Sequence, residues 1–396
     1  MASPRSTLAV SCASIFVVGI LSGALGPFLP LLSGRIGVPV EALGALFTAL
    51  FLGALAMQLA GGWLNERVGL RNMLVAGAAM LTLGILGVTV SPSLPALLLC
   101  AFLAGAGQGT LDISTNLLVA AVFEEKAVVS AVNVLHFAFG AGAVISPLLT
   151  RLADGTWGSP MPVLWLAAAV GLATTLAARR CAIDAKPGRA HEVRPEEANA
   201  VYARPVLWLL SLFLFLGVGV EMGVGGWTTV YAGQTTTLTP GAIAVLVSGY
   251  WLALTAGRLM GAILGMHVTS RALATISIAG MCLGSGMLVL GSGTVGWTVA
   301  GTLVTGASIG PIFPTTVVMG TEIFRAAPSR AVSVIISLSS LGGMVLPPLQ
   351  GVLLERVTPI ASVTLVAAAC VGMLLLLLAV KRGARGEPAP SPVMRA

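Results

Sequence analysis

Four side chains stand where chemistry is least expected, in the middle of long apolar runs. Asp112, Glu221 and Arg258 are ionisable, and His136 can titrate near neutral pH. A charge at the centre of a membrane-spanning helix costs ~2.5–3.5 kcal/mol on insertion scales, so each one asks for a partner or a purpose. Asp112 and Asn116 are four residues apart and share a helix face. That face can present a carboxylate and an amide to one polar ligand. His136 lies about as far along its own run as Asp112 along its own, which would let the two hydrogen-bond. Proton exchange at Asp112 and His136 could then be linked to ligand binding. Arg258, in Gly257-Arg-Leu, could neutralise Glu221 or Asp112. The plain alternatives are a buried interhelical hydrogen bond and an arginine that snorkels to the surface.

Glu221 sits among Gly217, Gly219, Gly223, Gly225 and Gly226. Such a helix can bend, and its carbonyls can line a cavity where irregular backbone is tolerated. Trp227 and Tyr231 follow roughly one and a half to three turns further along. Carboxylates and amides suit a ligand's hydroxyls, and an indole suits an apolar CH face. Ligand contacts are therefore expected from Glu221, Asn116, Trp227 and Tyr231, with Gln58 and Gln108 as weaker candidates. The competing reading makes the glycines a packing face and Trp227 an interfacial anchor.

The elements that must position these residues follow from composition. Of the 396 residues 57% are hydrophobic and 9% charged, against roughly 25% charged in an ordinary soluble domain. Lipid is the solvent that lets so much apolar surface stay outside. Apolar runs predict helices over 7–32, 42–64, 72–90, 95–122, 127–152, 160–180, 205–232, 240–266, 272–292, 295–322, 329–354 and 360–380. The expected fold is an all-α membrane protein of two six-helix bundles. Residues 1–180 form the first, 181–204 a polar linker, 205–382 the second, and 383–396 a disordered tail.

Charge placement gives an orientation. Seventeen Lys and Arg fall on the side of the two termini, three (Arg35, Arg151, Arg356) on the other, and Arg258 within a span; these are all 21. The positive-inside rule then predicts that both termini are cytoplasmic, and the expected location is the cell membrane, multi-pass, of a bacterial inner membrane. The net charge of +7 is thereby explained without a nucleic-acid partner. Cys12, Cys100, Cys181, Cys282 and Cys370 are too scattered for a disulfide framework or a zinc site. No metal or cofactor is expected. Gly306-Ala-Ser-Ile-Gly310 fits a nucleophile-elbow pattern but lies inside a span, so it reads as helix packing. A phosphate-cradling loop is also missing, and nothing points to an enzyme.

The halves repeat. A shift of 200 residues pairs Leu59, Gly61, Leu64, Val68 and Arg71 with Leu259, Gly261, Leu264, Val268 and Arg271. A shift of 201 pairs Gly105, Ala106 and Gly109 with Gly306, Ala307 and Gly310, and Gly142 and Pro147 with Gly343 and Pro348. Repeated bundles of this kind rock about a site at the bilayer midplane.

Gly62-Trp-Leu-Asn-Glu-Arg-Val-Gly-Leu-Arg71 resembles the signature loop of the major facilitator superfamily, Gly-x-Leu-x-Asp-Arg-x-Gly-x-Arg, with Glu66 for the usual Asp. The resemblance implies that Gly62, Glu66, Arg67, Gly69 and Arg71 form a gating loop whose contacts change as the halves rock. Three further stretches look like the fucose permease branch of sugar–cation symporters and its sodium-dependent glucose transporter-like relatives. These are Gly105-Ala-Gly-Gln-Gly-Thr-Leu-Asp-Ile-Ser-Thr-Asn116, Leu135-His-Phe-Ala-Phe-Gly-Ala-Gly-Ala-Val-Ile-Ser-Pro147 and Gly219-Val-Glu-Met-Gly-Val-Gly-Gly-Trp-Thr-Thr-Val-Tyr231. Asp112 and Asn116 match that branch's helix-four acid and Asn, although Leu117 stands where a Pro follows and helix one carries no acid. The resemblance implies a monomeric transporter of a sugar-like small molecule, coupled through a carboxylate to a proton or sodium ion. A proton-driven drug or metabolite exporter of the same fold is the alternative, and clustered amides on a cavity wall would speak against it.

Overall fold

Inside lipid every backbone N–H must find its carbonyl within the chain, and helices do this segment by segment. The computed structural model describes the backbone of residues 4–123, 125–180, 201–325 and 327–383. Twelve helices there are long and apolar enough to cross a membrane. They are α1 (Arg5–Ile36), α2 (Val40–Gly61), α3 (Arg67–Val90), α4 (Leu94–Val119), α5 (Val134–Trp157) and α6 (Met161–Arg180) in the first half. The second half holds α7 (Pro205–Thr235), α8 (Pro240–Leu264), α9 (Ser270–Leu290), α10 (Val295–Ile323), α11 (Arg330–Arg356) and α12 (Pro359–Val380). Most of the expected linker and tail, 181–200 and 384–396, lie outside the described residues.

An even number of crossings puts both chain ends on one side, called here the terminus side; the opposite face is the far side. Large apolar side chains such as Leu59, Leu99 and Leu290 are exposed on the outside of the bundle, where acyl chains would cover them. Cys12, Cys100, Cys282 and Cys370 carry free thiols.

Small residues set how the helices cross. A Cβ on Gly105 would overlap the carbonyl oxygen of Leu50, and one on Gly109 that of Ala54, so α4 lies directly on α2. The second half repeats the crossing: Gly306 faces the carbonyl of Tyr250 and Gly310 that of Leu254. Leu50 and Ala54 map onto Tyr250 and Leu254 by the same 200-residue shift, so the sequence repeat is a repeat of backbone contacts. One pairing moves. Gly142 abuts the Phe16 carbonyl on α1, and its counterpart on α7, the Phe215 carbonyl, is met by Gly342 rather than Gly343. Gly343 instead faces the ring of Phe51 in the other half.

The halves meet along α1–α7, α2–α11 and α5–α8, and on the far side they are closed. Gly26 of α1 lies against the carbonyls of Gly225 and Gly226, and Gly44 lies against Pro348. The ring of Phe47 covers Gly226. Thr48 Oγ1 donates to the Met344 carbonyl at 2.7 Å, and Arg356 pairs with Glu41 at 3.2 Å.

The glycine-rich α7 is not interrupted: it runs as one helix from Pro205 to Thr235. Its glycines are filled against by Leu346, Trp251 and Phe47, among others. The close-packing reading holds here, because each missing Cβ admits a neighbour. A real break occurs at Gly69, in the first turn of α3, where φ 76° and ψ 158° fall in a region open to glycine alone.

Candidate functional site

A cavity of about 1510 Å³ lies between the halves. It begins near mid-membrane, at Val18, Phe51 and Glu221, and runs to Arg271, Glu322 and Arg325 on the terminus side. Its wall draws on α1, α4, α7 and α10, as the repeat architecture leads one to expect, and equally on α2, α5, α8 and α11. With the far side sealed, the cavity is blind at one end and open at the other.

Asp112, Asn116, Gln58, Gln108, His136, Glu221 and Arg258 all line this space. Helical spacing explains the group on α4: Gln108, Asp112 and Asn116 recur every four residues and so form one polar stripe. Asn116 Nδ2 donates to the main-chain carbonyl of Asp112 at 2.7 Å. Among the described residues no hydrogen bond or ion pair reaches the Asp112 carboxylate. Gln108 Oε1 is buried and lacks a hydrogen-bond partner among them, while Gln58 Oε1 accepts from Ser340 of α11 at 3.0 Å. His136 faces the cavity as an exposed side chain, and no hydrogen bond links it to Asp112. The two sit on different walls of an open cavity, which is why matching depths along two helices do not bring them together.

Glu221 is 6% exposed and pairs with Arg258 Nη2 at 3.1 Å. Of the two acids that Arg258 could serve, it serves the one on the adjacent helix of its own half. The guanidinium also lies over the Phe139 ring, 5.7 Å from its centroid. A charge pair this deep is held by mutual attraction and by a cavity that admits water to one side.

Trp227 and Tyr231 are absent from the wall. Trp227 is fully buried, packs against Gly351 and donates its indole N–H to the Pro347 carbonyl at 2.8 Å. Tyr231 bonds Ser292 at 3.1 Å towards the far side of α9. Both lie beyond the cavity's blind end, so neither is available to a ligand in this state. Periodicity places a residue on a face but does not say which neighbour covers it. Nor does the sequence single out Phe139 or Ser340, because each matters through a contact with the opposite half that no local pattern reveals.

In the signature loop, Arg71 donates to the carbonyl of Arg179 at the end of α6. That contact stays within the first half. Arg67 is exposed and Gly69 makes the turn; the surroundings of Gly62 and the side chain of Glu66 lie outside those described.

Comparison with known proteins agrees with this architecture. The sequence model for "Major Facilitator Superfamily" matches residues 11–239. The chain is 24% identical over 384 residues to "Bypass of stop codon protein 6" of Saccharomyces cerevisiae, covering 88% of this chain and 77% of that one. It is 24% identical over 376 residues to "Sodium-dependent glucose transporter 1" of Homo sapiens, covering 86% and 72%. Among solved structures, a variant of the E. coli fucose:proton symporter FucP superposes with TM-score 0.64 at 14% identity, covering 94% of this chain and 98% of that one. A second FucP structure, in the outward conformation, gives TM-score 0.64 at 18% identity, covering 95% and 99%. The family model spans more than half of this chain and the fold is common to its members. The chain belongs to the major facilitator superfamily, and it is a transporter rather than an enzyme.

Proposed function

We propose that this protein carries a sugar or a similar small polyol across the membrane by alternating access, driven by a proton exchanged at Asp112. One observation carries the reading: a carboxylate with no partner among the described residues faces a blind cavity at membrane depth, while the other buried acid there is already neutralised by an arginine. An intramembrane acid left unpaired is costly, and occupancy by a proton or by a donor from the solute relieves that cost. The amides of Gln58, Gln108 and Asn116 suit hydroxyl groups and speak against the greasy cavity of a drug exporter. The names of the similar proteins, a sodium-dependent glucose transporter and a fucose:proton symporter, support the same solute class. In this reading Glu221 and Arg258 are solute contacts, and His136 assists proton exchange. Glu66 and Arg71 gate the terminus side. The working unit is a monomer of two halves, 1–180 and 205–382, with the linker and both termini cytoplasmic in a bacterial inner membrane.

The test is uptake of radiolabelled D-glucose and L-fucose into proteoliposomes under an imposed pH or sodium gradient. A pH gradient should drive accumulation in the wild type. Asp112→Asn keeps the shape but cannot titrate, so it should abolish uphill accumulation while counterflow exchange persists. Accumulation by Asp112→Asn under a pH gradient would refute the assignment. Sodium-driven uptake indifferent to pH would keep the site and change the ion.

A further inference from the structure

Five side chains close a ring of contacts around the buried ion pair. Glu221 meets Arg258 at 3.1 Å, and Arg258 lies over Phe139 at 5.7 Å. Phe139 meets Trp251 edge-on, 6.2 Å between centroids with the planes at 77°. Trp251 meets Tyr250 edge-on at 5.3 Å and 73°, and the Tyr250 hydroxyl returns to the Glu221 main-chain carbonyl at 2.8 Å. Four members belong to the second half. Phe139, on α5, is the one from the first. Its neighbour Gly140 packs against Thr255 so closely that no Cβ would fit, which sets how near the ring comes. Arg258 Nε is buried without a hydrogen-bond partner among the described residues, so its guanidinium is only partly held by hydrogen bonds and rests on the aromatic face for the remainder.

We propose that Phe139 is a positioning residue for Arg258: from the opposite half it presses the guanidinium onto Glu221, so that the geometry of the solute site depends on how α5 crosses α8. This rests on the proposed role of the ion pair in solute binding, but its main test needs no solute. Thermal unfolding in detergent is measured for wild type, Phe139→Leu, Arg258→Gln and the double variant. Leucine fills space without a π face. Its penalty should therefore fall by more than half once Arg258 has become Gln, and Phe139→Tyr should unfold close to wild type. Equal penalties in both backgrounds would reduce Phe139 to core packing and overturn the proposal.

With D-glucose or L-fucose as the probe, Phe139→Leu should raise KM about 5-fold, change the maximal rate less than about 2-fold, and be rescued by Tyr. A fall in rate at unchanged KM would also overturn it. If wild type takes up neither sugar, the proposed function fails, and the thermal cycle alone decides the role of Phe139.

Discussion

A guanidinium buried beside a carboxylate is tolerated because each cancels the other's field. Removing one partner strands the other, at a cost of about 3–5 kcal/mol for a well-buried pair. Arg258 keeps 22% of its side chain accessible against 8% for Glu221, so water softens the loss of the acid more than the loss of the arginine. Arg258→Leu should therefore lower the thermal midpoint more than Glu221→Leu. The neutral pair Glu221→Gln with Arg258→Gln should be milder than either leucine variant. A double variant worse than both singles would show that the two side chains do not act as a pair. These residues were legible in the sequence because a charge inside an apolar run has few explanations. The direction in which Arg258 turns was not legible, since Asp112 and Glu221 are equal candidates until the helices are laid side by side. Trp227 is ambiguous for a related reason. An aromatic one and a half turns from a buried acid fits a sugar site as well as a core, and in this state Gly351 and the Pro347 carbonyl hold it in the core.

Helices here are placed by contacts that leave no room for a Cβ. Gly105 and Gly306 hold equivalent positions, yet the obstacle at Gly105 is the Leu50 backbone alone, whereas at Gly306 part of it is the Tyr250 ring. Backbone cannot step aside, and a ring can move a little. Gly105→Ala should thus destabilise the purified protein more than Gly306→Ala, read as the difference in thermal midpoint in detergent. Equal losses would mean that the second half relaxes no better than the first. At Gly69, alanine must adopt a conformation that costs of order 1–3 kcal/mol for a residue with a side chain. Gly69→Ala should lower the midpoint measurably, with no change in solute affinity, because the turn is remote from the cavity. The twelve spans and the repeat were readable from hydropathy and from glycine spacing at a fixed offset. The unbroken course of α7 was not, because glycine serves equally for breaking a helix and for close packing, and the choice belongs to the neighbouring helices.

At the scale of the whole molecule, the far-side seam holds the present state. Gly26, Gly44, Gly226 and Gly343 all meet the opposite half where an added methyl has no space. Alanine at Gly26 or Gly226 should raise the share of molecules open to the far side. The check is labelling of a single reporter cysteine from each face of a proteoliposome with a membrane-impermeant maleimide. Arg356→Ala should have a smaller effect, since Arg356 is 69% exposed and such a pair contributes about 0–1 kcal/mol. If Arg356→Ala opened the far side more than Gly26→Ala, the seam would be electrostatic rather than steric.

A cavity stoppered at one end by packed backbone has an electrical consequence. Among the described residues no aqueous thread joins the two compartments, so ions have no continuous route along which a current could flow. A membrane densely populated with this protein should hold its voltage, and in a planar bilayer the purified protein should show no unitary current steps. Charge should cross only in parcels, one conformational cycle at a time.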